Sequence, residues 1–135
     1  MVEGSCLCGA VTYEVESAPE AVTSCNCSSC RRTGGLWAYY RPDQVRVSGE
    51  TVGFTRSVDG DPPMLTTHHC PICGCLTHWS PLIPGSDRMA VNARLIDPEV
   101  LAAARVRQFD GAVTWTFPDE VEAEAQAESG SSSEA

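Results

Sequence analysis

Cys25-Asn26-Cys27-Ser28-Ser29-Cys30 sets three thiols in six residues. A free cysteine usually packs as a small buried hydrophobe. Three in so short a run, among Asn and Ser and followed by Arg31 and Arg32, read as ligands instead. Zinc takes four protein ligands where it is structural, and often three plus a water where it is catalytic. Three thiols therefore point to a metal with one position left over. The chain has eight cysteines, and the other five decide whether that reading holds.

Four of the five come as two pairs, Cys6-Leu7-Cys8 and Cys70-Pro71-Ile72-Cys73. Residues i and i+2 of an extended segment face one side, so Cys6 and Cys8 can converge. The second pair has zinc-knuckle spacing, and Gly74 after it relieves the backbone of a tight turn. Together Cys6, Cys8, Cys70 and Cys73 make a closed, structural four-thiolate site that clips the N-terminus to the middle of the chain. The competing reading keeps Cys6 and Cys8 as ordinary buried thiols. Cys75 remains. The site at Cys25, Cys27 and Cys30 can be completed by Cys75, by a histidine, or by water or substrate. Among the histidines, His68 and His69 precede the knuckle and His78 follows it. A lone histidine is more often a hydrogen-bonded or surface residue than a ligand. Trp37, Trp79 and Trp115 read as core or pocket wall. Arg31 and Arg32 are either solvated or a clamp for substrate carboxylates. Asn26, Ser28 and Ser29 are placed to donate supporting hydrogen bonds to the sulfurs.

The 135 residues suffice for one domain with a real core, so metal supplements packing rather than replacing it. The formal net charge of -9 argues against a nucleic-acid partner held through phosphates. No run approaches membrane-spanning length. Met1 to Cys6 lacks the charged and apolar regions of a signal peptide, so a cytoplasmic location is expected. Thiols stay reduced there, which favours metal or catalysis over four disulfides.

Val11, Tyr13 and Val15 alternate with polar residues, the period of a strand. Ala21–Ser24 and the aromatic run Leu36–Tyr40 are β-prone. Further strands are predicted at 45–47, 52–57, 64–69, 75–79, 88–95 and 112–117, separated by turn signals such as Ser48-Gly49 and Pro84-Gly85. One helix is predicted, capped by Asp97, with Pro98 at its first position and running to Ala104. The expected fold is mainly β: a single zinc-stapled domain of short antiparallel strands with at most one short helix, over residues 2–118. Residues 119–135 hold six of the carboxylates and no base, and are predicted to be a disordered acidic, Ser-rich tail.

Gly4-Ser5-Cys6-Leu7-Cys8-Gly9-Ala10-Val11-Thr12-Tyr13, Cys25-x-Cys27-Ser28-x-Cys30-Arg31-Arg32-x-Gly34 and Cys70-x-x-Cys73-Gly74 together resemble the glutathione-dependent formaldehyde-activating enzyme family, which includes centromere protein V. Leu95-Ile96-Asp97-Pro98 and Trp115 resemble its C-terminal half. The likeness spans roughly residues 2–118. It implies a tent-like β fold with two zinc ions per chain, one structural on Cys6, Cys8, Cys70 and Cys73 and one labile on Cys25, Cys27 and Cys30. It also implies carbon–sulfur lyase chemistry, the joining of formaldehyde to glutathione. The chain departs from the family's pattern twice. Asn26 stands where the family commonly has His, and Cys75 where it commonly has Thr. Two other classes of function compete with the enzyme: a non-catalytic zinc-stabilised scaffold for a partner, and a thiol redox sensor. The fourth ligand of the second site separates the first two, because a protein ligand there would close it.

Overall fold

The computed structural model describes residues 1–57 and 60–121. Strands β1 (Val2–Ser5), β2 (Thr12–Val15) and β5 (Val45–Ser48) form a small antiparallel sheet in the order β1-β2-β5. The large sheet holds β3 (Ala21–Cys25), β4 (Leu36–Tyr40), β6 (Val52–Thr55), β7 (Leu65–His69), β8 (Leu76–Pro81), β9 (Met89–Asn92) and β10 (Arg105–Phe109). Their order is β10-β3-β4-β9-β8-β7-β6. All pairings are antiparallel except β10 with β3, which run parallel from Arg105 beside Ala21 to Phe109 beside Cys25.

The core lies between the sheets and follows from strand alternation. Leu36, Ala38 and Tyr40 of β4 point inward with Val22 and Val91. Tyr13 and Val15 of the small sheet meet them, and Ala93 and Ile96 close one side. Each of these larger side chains contributes about 1.5–3 kcal/mol on burial. The Tyr13 hydroxyl donates to the Asn92 carbonyl at 2.7 Å, joining the sheets by a buried hydrogen bond. A Cβ at Gly4 would overlap the Tyr13 ring, so β1 can cross it only as glycine. The intervening residues Trp37 and Tyr39 point to the other, outer face of the sheet, where Trp37 is still buried and Tyr39 half-buried.

Helix α2 (Pro98–Ala102) forms where its cap predicts, Asp97 Oδ1 accepting from the Glu99 N–H at 2.9 Å. A single further turn, α1 (Cys30–Thr33), closes on Gly34 in the left-handed region. A last helical turn covers residues 118–121. Two strand expectations need correction. The C-terminal strand is Arg105–Phe109, not 112–117. The Asp110 carboxylate accepts from the N–H groups of Val113 and Thr114 and from the Thr114 hydroxyl, which folds the segment into a loop. Only an isolated bridge, Asp110 with Thr116, remains there. The second correction is β1, which lies N-terminal to the first predicted strand. Of the predicted acidic tail, residues 122–135 lie outside the described residues. Glu120 accepts from Arg107 Nε and Nη2 at 3.0 and 3.1 Å. No helix among the described residues is long and apolar enough to cross a membrane.

Candidate metal centres

The sulfurs of Cys6, Cys8, Cys70 and Cys73 all lie within 4.8 Å of one another. Cys6 to Cys8 is 3.7 Å and Cys8 to Cys70 is 3.6 Å. Four sulfurs about 2.3 Å from a tetrahedral zinc would stand about 3.8 Å apart, so the donor set fits that ion. The first pair converges through a turn rather than along a strand. Gly9, with φ of +81°, donates its N–H to the Cys6 carbonyl at 3.2 Å, which brings Cys8 back over Cys6. The second pair is a knuckle: Gly74 N–H reaches the Cys70 carbonyl at 2.9 Å, and the N–H groups of Ile72 and Cys73 point at Cys70 Sγ. Val11 N–H donates to Cys6 Sγ at 3.3 Å. Cys6 and Cys70 are buried against Val11, with Val47 and Cys75 alongside. Two backbone N–H groups, from Cys75 and Cys8, pull the Cys73 thiol down to about 5. Cys8 is drawn down by the Ala10 N–H, but burial and the thiols of Cys70, Cys6 and Cys73 push it up to about 12. Packed thiols resist ionising together, and a shared cation removes that resistance.

Cys25 ends β3, Cys27 follows in a bend, and Cys30 opens α1. Their sulfurs also lie within 4.8 Å of one another. Each receives a hydrogen bond: Cys27 N–H to Cys25 Sγ at 3.4 Å, Cys30 N–H to Cys27 Sγ at 3.3 Å, and Trp37 Nε1 to Cys30 Sγ at 3.3 Å. Such donors favour thiolates. Burial pushes Cys27 up, but the N–H of Cys30 and neighbouring donors outweigh it and hold this thiol below its ordinary value. Burial raises Cys25, and pushes Cys30 up to about 12 despite Trp37. The group is thus poised to hold a cation with one member already inclined to ionise.

The side chains expected to support these sulfurs serve the surrounding loops. Asn26 Nδ2 donates to Asp110 Oδ1 at 3.1 Å, and Asn26 Oδ1 accepts the Ala112 N–H at 3.0 Å. Asn26 thereby straps the 110–116 loop against the thiols. Ser28 Oγ accepts from Arg56 Nη1 at 2.6 Å. At Ser29 it is the backbone carbonyl that is used, accepting the Thr33 hydroxyl at 3.1 Å, while the side chain makes no cap hydrogen bond to α1. Arg31 and Arg32 are exposed on α1, and Arg32 Nη1 donates to the Ser28 carbonyl at 2.8 Å. Two residues at this site have roles their sequence context did not reveal. Trp37, read as core or pocket wall, donates to a sulfur. Gly111 packs its backbone on the thiols, where a Cβ would lie 2.8 Å from Cys25 Sγ and 3.0 Å from Cys27 Cβ. A glycine after Asp110 was the available signal, and it reads equally as a turn.

Neither candidate for a fourth protein ligand joins this group. Cys75 packs beside Cys6, Val11 and Cys70. His68 and His78 stack on each other, 4.2 Å between centroids and 2° between planes. Thr51 and Ser80 hydrogen-bond His68, and Thr77 bonds His78. Burial lowers both, taking His78 to about 4 with His68 adding to the shift. They are neutral framework groups at neutral pH. Among the described residues the second group has three metal-ligating side chains.

No curated protein matches the chain. Among solved structures, the crystal structure of a Rhodobacter sphaeroides protein is similar, with 27% identity and a TM-score of 0.61. The likeness covers 77% of this chain and 98% of that one. The family model for the glutathione-dependent formaldehyde-activating enzyme matches residues 1–111, a span that holds both thiol groups and Gly111. The chain therefore belongs to the glutathione-dependent formaldehyde-activating enzyme family.

Proposed function

We propose that the chain holds two zinc ions and makes or breaks a carbon–sulfur bond between a small thiol, such as glutathione, and an aldehyde. Cys6, Cys8, Cys70 and Cys73 hold the structural ion; Cys25, Cys27 and Cys30 hold the exchangeable one. In the forward direction the thiol sulfur bonds to the aldehyde carbon, the C=O π bond opens, and the thiol proton ends on the oxygen. Zinc at the three-thiol site would supply a Lewis acid that favours the thiolate form of a substrate sulfur.

The chain's own residues set the rest. The N–H groups of Cys27 and Cys30 and the Trp37 indole fix the three sulfurs. The Gly111 backbone leaves no room for a side chain on the Cys25 flank. Arg31 and Arg32 add positive charge beside the site and favour an anionic thiol. Asn26, Ser28 and Ser29 steady the loop. The observation that carries this reading is a half-exposed three-thiol group with no fourth side-chain ligand among the described residues. Family membership supports the thiol and the aldehyde. The reading places the enzyme in the cytoplasm, where glutathione and reduced thiols coexist.

The test is exchange between formaldehyde, glutathione and their adduct, followed by NMR with zinc-loaded protein. The expected result is faster exchange with the wild type and none above background with Cys27→Ser. Background exchange with both would leave a zinc-held scaffold as the better description.

A further inference from the structure

A strip of aromatic rings leads away from the three-thiol group along the outer face of the large sheet. Trp37 donates to Cys30 Sγ, and Tyr39, two residues on, shares its face. Tyr39 lies opposite Ala90 of β9, and Ala90 lies opposite Trp79 of β8. The small Ala90 lets the two rings meet across it, edge to face, 6.3 Å between centroids at 65°. Arg88 lays its guanidinium over the Tyr39 ring, 3.9 Å from the centroid. Its backbone is pinned just before β9 by the Ser86 hydroxyl, which accepts the Arg88 N–H at 3.4 Å. Arg56, just past the end of β6, donates instead to Ser28 Oγ in the thiol run, between Cys27 and Cys30.

Arg88 has no carboxylate partner among the described residues, whose ion pairs are Arg41 with Asp43 and Arg107 with Glu120. A guanidinium has five N–H donors, so one seated over a ring retains a pair for a planar anion. Burial raises the Tyr39 hydroxyl, with Arg88 pulling it down and the Cys30 and Cys25 thiols pushing it up. Tyr39 therefore stands within electrostatic reach of both. Two residues of strand advance roughly 7 Å. A thiol-bearing residue and one residue after it, extended, also span roughly 7 Å.

Resting on the thiol reading above, we propose that Arg88, seated on Tyr39, is the carboxylate anchor that selects an anionic peptide thiol. The sulfur of such a substrate lies at Cys25, Cys27 and Cys30. Its backbone crosses the aromatic strip, and its C-terminal carboxylate takes the bidentate edge of Arg88.

The experiment titrates zinc-loaded protein calorimetrically with glutathione, glutathione diethyl ester and 2-mercaptoethanol. The proteins are the wild type, Arg88→Gln, Arg56→Gln and an Arg31→Gln/Arg32→Gln double variant. Wild type should favour glutathione over the diester by about tenfold or more, the scale of a charge-assisted pair. Arg88→Gln should bring that ratio close to one and leave 2-mercaptoethanol binding unchanged; Arg56→Gln, whose side chain is held on Ser28, should keep the wild-type ratio. If 2-mercaptoethanol binds but Arg88→Gln keeps the wild-type ratio, or the wild type shows no preference, the anchor assignment is overturned and the thiol site stands. Collapse of the ratio only in the double variant would move the anchor to α1. Failure of every thiol to bind the wild type would overturn the thiol site and the anchor with it.

Discussion

Cys8 and Cys70 come together across 62 residues of sequence, whereas Cys25, Cys27 and Cys30 come from one six-residue run. The first group ties the small sheet to the β7–β8 turn; the second ties β3 only to the turn that follows it. Closing a long loop costs the unfolded chain more entropy than closing a short one. Metal bound at the first group would therefore stabilise the fold, and metal bound at the second would add little to it. In the first group Cys6 and Cys70 are buried, Cys73 is half-exposed and Cys8 exposed, while all three members of the second group are half-exposed. The same thiol chemistry thus joins segments far apart in sequence at the first group and neighbours in one run at the second.

The largest effect should follow from Cys73→Ala. Structural zinc sites contribute folding free energy directly. This chain has a core of its own, so the loss should be partial: on the order of 3 kcal/mol or more, a melting temperature lower by roughly 10 °C. Metal analysis should show one equivalent missing and the remaining one still chelatable. A Cys73→Ala protein with wild-type melting and full metal content would break the comparison at once.

Cys27→Ser is the counterpart. It should remove one equivalent of metal and lower the melting temperature by no more than about 3 °C, under about 1 kcal/mol for a domain of this size. In the wild type, mild chelation should empty the second group before the first, giving two well-separated phases of metal release. Loss of both ions in one phase would show that the two groups are not thermodynamically distinct.

Gly111→Ala sharpens the comparison from outside the ligand set. Its Cβ would stand 2.8 Å from Cys25 Sγ, closer than real contacts allow, so the loop or the sulfur must move. Asn26 and Asp110 hold the loop in place, which directs the displacement onto the thiols. Metal affinity at the second group should fall by about tenfold, the scale of a supporting-residue change at a metal site. The first group and the melting temperature should be unaffected. An unchanged release profile would mean that the loop yields and Gly111 plays no part in the site.

Much of this was legible in the chain itself. Alternation in Thr12–Val15 and the aromatic run Leu36–Tyr40 marked strands that form as expected, and the cysteines gather in the two expected groups, although Cys6 and Cys8 meet through the Gly9 turn and not along a strand. What was hidden depended on specific side-chain contacts that alternation and propensity do not encode. Val2–Ser5 becomes a strand because Gly4 slides over the Tyr13 ring. Residues 112–117 carry β-prone side chains, yet Asp110 takes the backbone donors a strand would need, and Trp115 adopts φ of +56°. Arg31 and Arg32 drew notice by adjacency, while Arg56, 28 residues after Ser28 and just past β6, reaches that serine through a contact that only the folded chain shows.

The smallest expected effect concerns the strand flanking the second group. β10 lies parallel to β3 and ends beside Cys25. Its Arg107 stacks on Phe117, 3.8 Å from the ring centroid, and pairs bidentately with Glu120. That pair is partly exposed, with side-chain accessibilities of 31% and 38%, so it contributes no more than about 1 kcal/mol. Truncation after Val121 keeps it; truncation after Pro118 removes it. Deleting residues 122–135 should therefore leave the melting temperature within about 1 °C, since that segment is acidic and poor in large apolar side chains. Deleting 119–135 should lower it by about 2–3 °C. The difference between the two truncations should shrink at high salt, which screens a surface pair. Because β10 borders only the second group, the shorter protein should also release that group's metal faster while the first group's release is unchanged. A loss of several degrees on truncating after Val121 would place part of residues 122–135 on the folded domain. Equal behaviour of the two truncations would remove Glu120 from the account of the edge beside Cys25.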